Sequence, residues 1–358
     1  MKHLLVMAAG TGGHVIPGLA VAAEMQRRGW SVSWLGTQTG LENRLVPQAG
    51  IMLDRISFNG MRGKGLLGNA RGALRLFIAF RTCSRIIRRR RVDAVLGMGG
   101  YVCFPGGWMA WLHGKPLLLV NADATLLLSN RALKMAARRI AFGFAGESAR
   151  EIGRKAVVTG NPVRVEIEAL PEPAVRFAGR AGALRLLVVG GSLGARVLNE
   201  CVPRAIALLA GEQRPQVAHQ TGEAGWEGVR AIYDAAGAEV EVLPFIDDMA
   251  RRLADCDVIV CRAGAITVSE LCAAGVAAVL VPFVASTTAH QRDNAAWMAS
   301  REAAIHLPQS DLSPRRLADL LGSLTREALL TMATKARALA RPHAAERVAD
   351  EIEAMVVA

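Results

Sequence analysis

The sequence predicts an α/β protein made of two doubly wound, Rossmann-like parallel-sheet domains. Three observations lead there. Strand-sized apolar runs alternate with helix-like segments along most of the 358 residues. An apolar strand running into a glycine turn and then a helix occurs twice, at 3–28 and again from 184 to 196. Between these two openings, Gly160 to Gly182 breaks the rhythm with Pro162, Pro171 and Pro173. A chain of this length is also too long for one ordinary core, so two domains are expected.

The elements follow in order. HLLVMAAG (3–10) reads as the first strand, Pro17 to Arg28 as a helix ended by Gly29, and SVSWLG (31–36) as the second strand. Further strands are expected at 93–97, 117–120 and 156–159. After the restart at 184 they fall near 216–219, 239–243, 257–261 and 277–281. The domain boundary is placed near 163, giving domains of 1–163 and 164–340. The last helix, within 341–358, has too few partners to stand alone and is expected to pack back on the first domain. In such folds ligands sit beyond the carboxyl ends of the strands, so the cleft between domains is the expected site.

Composition narrows the class. Just over half of the residues are apolar, yet no run approaches the roughly twenty apolar residues that span a bilayer. The N-terminus passes from Lys2 straight into a strand with no cleavage-site pattern, so no signal peptide and a cytoplasmic location are expected. Cys83, Cys103, Cys201, Cys256, Cys261 and Cys272 lie among apolar neighbours without a C-x-x-C pair, as small buried hydrophobes in a reducing compartment do. The net charge of +12 is uneven: residues 62–91 are dense in Arg and Lys and contain no Asp or Glu. Such a field attracts nucleic acid, anionic lipid or pyrophosphate.

Four glycine-containing loops carry the candidate chemistry. Gly10-Thr11-Gly12-Gly13-His14 can bring backbone amides up to an anion at a helix N-terminus. A dinucleotide site is disfavoured, because position 15 is Val and strand two ends in Trp34-Leu35-Gly36 with no acidic residue. Gly97-Met98-Gly99-Gly100-Tyr101 is the second loop, and Gly190-Gly191-Ser192-Leu193-Gly194 opens the second domain. Arg262-Ala263-Gly264-Ala265-Ile266-Thr267 is the fourth, leading to Ser269 and Glu270. A carboxylate one turn into a helix can grip two ribose hydroxyls, or can simply answer the helix dipole. His290, Gln291 and Asn294 follow another strand end, with Gln291 and Asn294 on one helical face, where amides suit sugar hydroxyls or solvent.

Taken together, GTGGHVIPGLAVA (10–22), GMGGY (97–101), TGNPVR (159–164), GGSLGARVLN (190–199), PFIDDM (244–249), CRAGAITVSE (261–270) and HQRDNA (290–295) resemble the MurG family nearly end to end. These are the transferases that add N-acetylglucosamine to the undecaprenyl-linked muramyl-pentapeptide precursor of peptidoglycan. The resemblance implies a GT-B fold, two Rossmann-like domains with parallel sheets facing across a cleft. It implies UDP-N-acetylglucosamine as donor, the lipid-linked muramyl-pentapeptide as acceptor, and a peripheral place on the cytoplasmic side of the bacterial inner membrane. On the donor side it implies that Arg164 and Ser192 contact the uridine and diphosphate, that Ile246 meets uracil through its backbone, and that Ala265, Ile266, Thr267, Val268 and Ser269 line the pocket. Glu270 would hold the ribose, with Gln291 and Asn294 on the sugar. Thr11, Gly12 and Gly13 match the loop facing the donor sugar and acceptor pyrophosphate, and His14 matches the family histidine beside it. As general base His14 would deprotonate the muramyl 4-hydroxyl in an inverting displacement; as a brace it would only hold the loop or a phosphate.

The chain departs from the family at Val120-Asn121-Ala122-Asp123, where most members read H-E-Q-N. Asp123 stands where a donor-contacting asparagine is expected and Asn121 where a glutamate is expected. Asp123 would then replace that contact, serve as a base, or orient His14. Residues 70–91 read as a helix mixing Leu74, Leu76, Phe77, Ile78, Phe80, Ile86 and Ile87 with arginines. This suits docking on an anionic bilayer, with Trp108 and Trp111 nearby, and equally a core helix with a solvated basic face. Asp255-Cys256-Asp257 has a D-x-D form but precedes an apolar strand, so helix-end and turn carboxylates explain it better, and no metal or cofactor is expected. A UDP-N-acetylglucosamine 2-epimerase, or a basic nucleic-acid-binding protein, are the alternatives. The second lacks an aromatic stacking strip, so no nucleic acid is expected as partner.

Overall fold

The computed structural model describes residues 1–10, 12–58, 66–191, 194–283 and 290–357, with backbone alone for 66–71. Thr11 and Ser192, both expected to contact ligand, lie outside the described residues, as does part of the basic run. Two compact units are present. One comprises Met1–Val163 with His343–Ala358, the other Arg164–Pro342.

The described residues of the first unit form a seven-stranded sheet. Its strands are β1 (His3–Ala8), β2 (Ser31–Thr37), β3 (Met52–Ile56), β4 (Ala94–Gly99), β5 (Leu117–Asn121), β6 (Arg139–Phe142) and β7 (Ala156–Val158). They lie in the order β3-β2-β1-β4-β5-β6-β7, and every pairing is parallel. Each central strand is buried on both faces, which is why these strands read as unbroken apolar runs rather than alternating ones. Leu5, Met7, Val95, Leu117 and Leu119 face one core with Cys83, Ile86 and Ile87. Leu4, Val6, Leu96, Leu118 and Trp34 face the other.

That second core also takes Val348, Ala349, Ile352 and Met355 from the helix Ala344–Val357. The helix is tied down by Arg28, which reaches Asp350 (2.6 Å) and Glu353 (2.9 Å), and by the Trp30 indole N–H, which donates to Glu353 at 3.1 Å. The first helix runs Gly12–Arg27, so it begins five residues before Pro17. Proline favours a helix start, which is why Pro17 suggested one; here it sits inside, and the Gly13 carbonyl lacks the N–H that residue 17 would otherwise supply.

The second unit repeats the plan with β8 (Arg185–Val189), β9 (Gln216–Gln220), β10 (Val240–Leu243), β11 (Val258–Cys261), β12 (Ala277–Leu280) and β13 (Ile305–His306). Their order is β10-β9-β8-β11-β12-β13, again parallel throughout. In both sheets the strand order reverses beside the first strand, between β1 and β4 and between β8 and β11. Crevices at such switch points, beyond the carboxyl strand ends, are where open α/β sheets take ligands. The glycine loops after β1, β4, β8 and β11 all emerge there.

Candidate active-site loops of the two units

In the first unit, the loops after β1 and β4 meet at His14. Registration between these strands slips by one residue, so that Ala8 lies opposite Gly99 rather than Met98. Gly99 has φ +130°, and a Cβ there would occupy the space of the His14 imidazole. Glycine is therefore required twice over, for its backbone and for its missing side chain. The imidazole Nδ1 is buried without a well-formed hydrogen bond. Burial holds the His14 pKa below its ordinary value, opposed by the Asp123 carboxylate and then by the Met98 backbone carbonyl. The neutral imidazole, able to accept a proton, is thereby favoured at neutral pH.

Asp123 lies on the loop after β5, which Asn121 organises. Asn121 is fully buried and its Nδ2 donates to the carbonyls of Asp123 (2.8 Å) and Thr125 (3.0 Å). Its Oδ1 accepts from the Leu127 amide (2.9 Å) and from Asn130 Nδ2 (3.1 Å). The Ala122 carbonyl is fixed by Asn161 Nδ2 at 2.8 Å. Asn121 thus acts on the loop backbone, and Asp123 is the carboxylate this chain places near His14.

In the second unit, Arg164 Nε donates to Glu270 Oε1 at 2.8 Å. Glu270 stands on the helix Ala265–Ala274, whose N-terminus opens at Gly264 with no side-chain cap and no acidic residue in the first turn. Its amides are free to face an anion. Ala265, Ile266, Thr267 and Ser269 are partly exposed, whereas Val268 is fully buried in the core. Burial raises the Glu270 pKa, and Arg164 opposes that rise.

Ile246, 4% exposed, follows β10. Gln291 Oε1 accepts from the Phe283 amide at 2.8 Å. Asn294 is fully buried and its Nδ2 donates to the Ala263 carbonyl at 3.1 Å, so it braces the loop after β11. In this arrangement the amides of Gln291 and Asn294 hold backbone. The loops after β8 and β9 have supports the sequence did not announce. Gln220 Nε2 donates to the Gly191 carbonyl at 2.9 Å, and Asn199 Nδ2 to the Thr221 carbonyl at 3.0 Å. Their only sequence signal is an amide at a strand end and another on an otherwise apolar helical face.

Comparison with known proteins identifies the family of the whole chain. Models of the glycosyltransferase family 28 N-terminal and C-terminal domains match residues 4–142 and 185–350. Over 99% of the chain the sequence is 68% identical to a protein of Methylibium petroleiphilum, with 98% of that protein covered. That relative is named UDP-N-acetylglucosamine–N-acetylmuramyl-(pentapeptide) pyrophosphoryl-undecaprenol N-acetylglucosamine transferase. The crystal structure of Acinetobacter baumannii MurG, 38% identical, superposes with a TM-score of 0.85 and covers 99% of this chain and 100% of that one.

This chain belongs to the MurG family of glycosyltransferases. Its fold class is GT-B. A Chromobacterium violaceum relative of the same name is 63% identical over 98% of the chain and 97% of its own length. The UDP-N-acetylglucosamine 2-epimerase of Neisseria meningitidis shares the fold at 14% identity, with a TM-score of 0.69 over 99% of this chain and 100% of that one. The epimerase alternative therefore rests on fold alone.

Two further features separate once the MurG-family fold is in place. Asp257 is fully buried and accepts from Arg180 (2.6 Å), Arg326 (3.3 Å) and the Arg185 amide (2.9 Å), while Asp255 ends a helix beside Arg251. These arginines make the second D-x-D carboxylate part of the domain's framework. The helix Leu66–Arg89 divides its apolar residues: Ala79, Cys83, Ile86 and Ile87 are buried, whereas Leu74, Phe77 and Ile78 are exposed. Arg81 lies over the Phe77 ring, and Trp111, exposed, packs edge-on against Trp108. The buried set fits the core-helix reading, and the exposed set is the one on which the docking expectation rests. No helix among the described residues is long and apolar enough to cross a membrane.

Proposed function

We propose that this chain transfers N-acetylglucosamine from UDP-N-acetylglucosamine to the 4-hydroxyl of undecaprenyl-pyrophosphoryl-N-acetylmuramyl-pentapeptide, with inversion at the anomeric carbon. The observation that carries the reading is 68% identity, over 99% of the chain, to a relative named for this reaction. The loop geometry supports it with a buried imidazole held toward its neutral form on one unit, and an uncapped helix N-terminus followed by the Arg164-paired Glu270 carboxylate on the other.

His14 takes the proton of the muramyl 4-hydroxyl as its oxygen attacks C1 of the donor sugar. The C4–O–C1 bond forms, the bond from C1 to the phosphate oxygen breaks, and UDP leaves with the electron pair. The Asp123 carboxylate favours the imidazolium as it forms, the role its effect on the His14 pKa supports. The Gly12 and Gly13 amides serve the acceptor pyrophosphate. In the second unit the amides of Ala265, Ile266 and Thr267 meet the leaving diphosphate, where a helix N-terminus stabilises developing negative charge.

Glu270 holds the ribose hydroxyls, and Arg164 keeps that carboxylate ionised while pointing a guanidinium at the uridine end. Ile246 offers its backbone to uracil, and Gln291 and Asn294 shape the sugar side. The exposed Leu74, Phe77 and Ile78 with Arg75, Arg81 and Arg85 dock the enzyme on the anionic cytoplasmic face of the inner membrane, where the acceptor resides. Incubating the purified protein with radiolabelled UDP-N-acetylglucosamine and a short-chain lipid acceptor tests the reaction. Label in the lipid fraction is expected; donor consumption without labelled lipid would defeat it.

A further inference from the structure

The glycine loop after β1 is held from below by a carboxylate that the reaction scheme does not use. Glu42 belongs to the helix Glu42–Gln48 and is fully buried. Its Oε2 accepts from the Gly10 amide at 3.0 Å, and its Oε1 accepts from the Thr37 amide at 3.0 Å. The Thr37 hydroxyl also lies 2.7 Å from Oε1. All three donors are neutral. The Leu41 amide, next in chain, donates to the Gly10 carbonyl at 3.1 Å. Both backbone polar groups of Gly10 are therefore clamped by residues 41 and 42, at a position with φ +98°.

The surroundings are shaped for this carboxylate. A Cβ on Gly36 would lie 2.8 Å from Glu42 Cγ, and one on Gly40 would collide with the carboxylate itself. Burying an ionisable group is costly unless hydrogen bonds compensate it, and here all three come from Gly10 and Thr37.

We infer that Glu42 is a positioning residue for the transfer: its carboxylate sets Gly10 and so fixes the amides of Gly12 and Gly13 in the orientation that receives the acceptor's pyrophosphate. The inference rests on the function proposed above. Glutamine is the informative substitution, because it is isosteric but can present only one oxygen. Either Gly10 or Thr37 then faces an NH2 group instead of an acceptor, and the clamp opens on one side.

Steady-state kinetics with the short-chain lipid acceptor, together with calorimetric titration of UDP, tests it on the full chain. Glu42→Gln should lower kcat/KM for the acceptor by about ten- to a hundredfold, the range a small misplacement of binding groups costs. The acceptor KM should rise and UDP affinity should stay within twofold of wild type, while the one lost hydrogen bond should lower the melting temperature by only a few degrees. Thr37→Val, which removes one donor and leaves Gly10 clamped, should give a smaller rise in acceptor KM. An acceptor kcat/KM within twofold of wild type for Glu42→Gln would overturn the inference. So would a loss confined to kcat with a lowered melting temperature, which marks a merely structural role. If Glu42→Gln does not fold, Glu42→Asp, which keeps the charge but is one methylene too short to reach the Gly10 amide, decides by whether acceptor KM rises while UDP affinity holds. Wild-type protein that transfers no label defeats the parent reading and this inference together; an active wild type with an indifferent variant defeats only the inference.

Discussion

Arg164 Nε and Glu270 Oε1 lie 2.8 Å apart, and the pair is unequal: Glu270's side chain is 14% exposed, Arg164's 38%. The carboxylate bears the desolvation and the guanidinium offsets it. Burial raises the Glu270 pKa and Arg164 lowers it. In the proposed role, the ionised carboxylate accepts two ribose hydroxyls better than the protonated one does, so donor affinity should fall as pH drops through the Glu270 pKa. In Arg164→Ala the opposing cation is gone, and that acidic limb should move to higher pH. Calorimetric titration of UDP between pH 5 and 8 reads this. A limb that stays in place would mean Glu270 is not the titrating group.

Gly99→Ala should damage the first unit beyond ordinary strain. A non-glycine residue at φ +130° costs about 1–3 kcal/mol. The new methyl would also displace the His14 ring. Gly114→Ala is the control, with φ +65° and nothing within 4 Å of the added Cβ. Transfer should drop about a hundredfold in Gly99→Ala and little in Gly114→Ala. Equal losses would show that the ring's seat is unimportant.

His219 gives the second unit an acid sensitivity. It is fully buried, with Nδ1 3.0 Å from the Tyr233 hydroxyl and Nε2 unpartnered. Burial lowers its pKa from 6.5 to about 3. The unfolded chain therefore binds one more proton than the folded one between those values. The stability from the neutral buried ring is complete above pH 6.5 and is lost as pH falls toward 3. Urea unfolding of wild type should show up to about 1.4 kcal/mol per pH unit more dependence across this window than the His219→Leu/Tyr233→Phe double variant. Parallel slopes would refute the assignment.

Membrane docking is read with vesicles. Phe77→Asp should weaken binding to phosphatidylglycerol-containing vesicles, and Arg85→Glu should do so by a few kcal/mol at most, since each basic residue near such a surface contributes about 1 kcal/mol. Added salt should erase the Arg85 effect and leave part of the Phe77 effect. Binding to neutral vesicles that matches the anionic ones would contradict an electrostatic contribution.

Much of this architecture is legible in the chain. Doubly buried parallel strands announce themselves as apolar runs, and the glycine loops after β1, β4, β8 and β11 mark their carboxyl ends. What escapes has physical reasons. β3, with Asp54 and Arg55 in a five-residue edge strand, carries too little apolar pattern, and the paired residues of β13 are too few to show a period. β6 opens on Arg139, directly after Arg138, and is only four residues long. Within the candidate site, His14 and Glu270 stand out by residue type and spacing. Glu42, Asn199 and Gln220 do not, because a buried polar group that supports a loop looks in sequence like any surface residue. Asn121 and Asn294 reverse the problem: both are visible, but only the fold reveals that their amides are engaged by backbone.

The most direct test pairs transfer with donor binding in three proteins: wild type, His14→Ala and Glu270→Ala. With radiolabelled UDP-N-acetylglucosamine and the short-chain lipid acceptor, wild type should form labelled lipid. His14→Ala should lose about a hundred- to ten-thousandfold in turnover while binding UDP normally. Glu270→Ala should lose UDP affinity itself. His14→Ala turning over at the wild-type rate, or wild type forming no labelled lipid, would contradict the account.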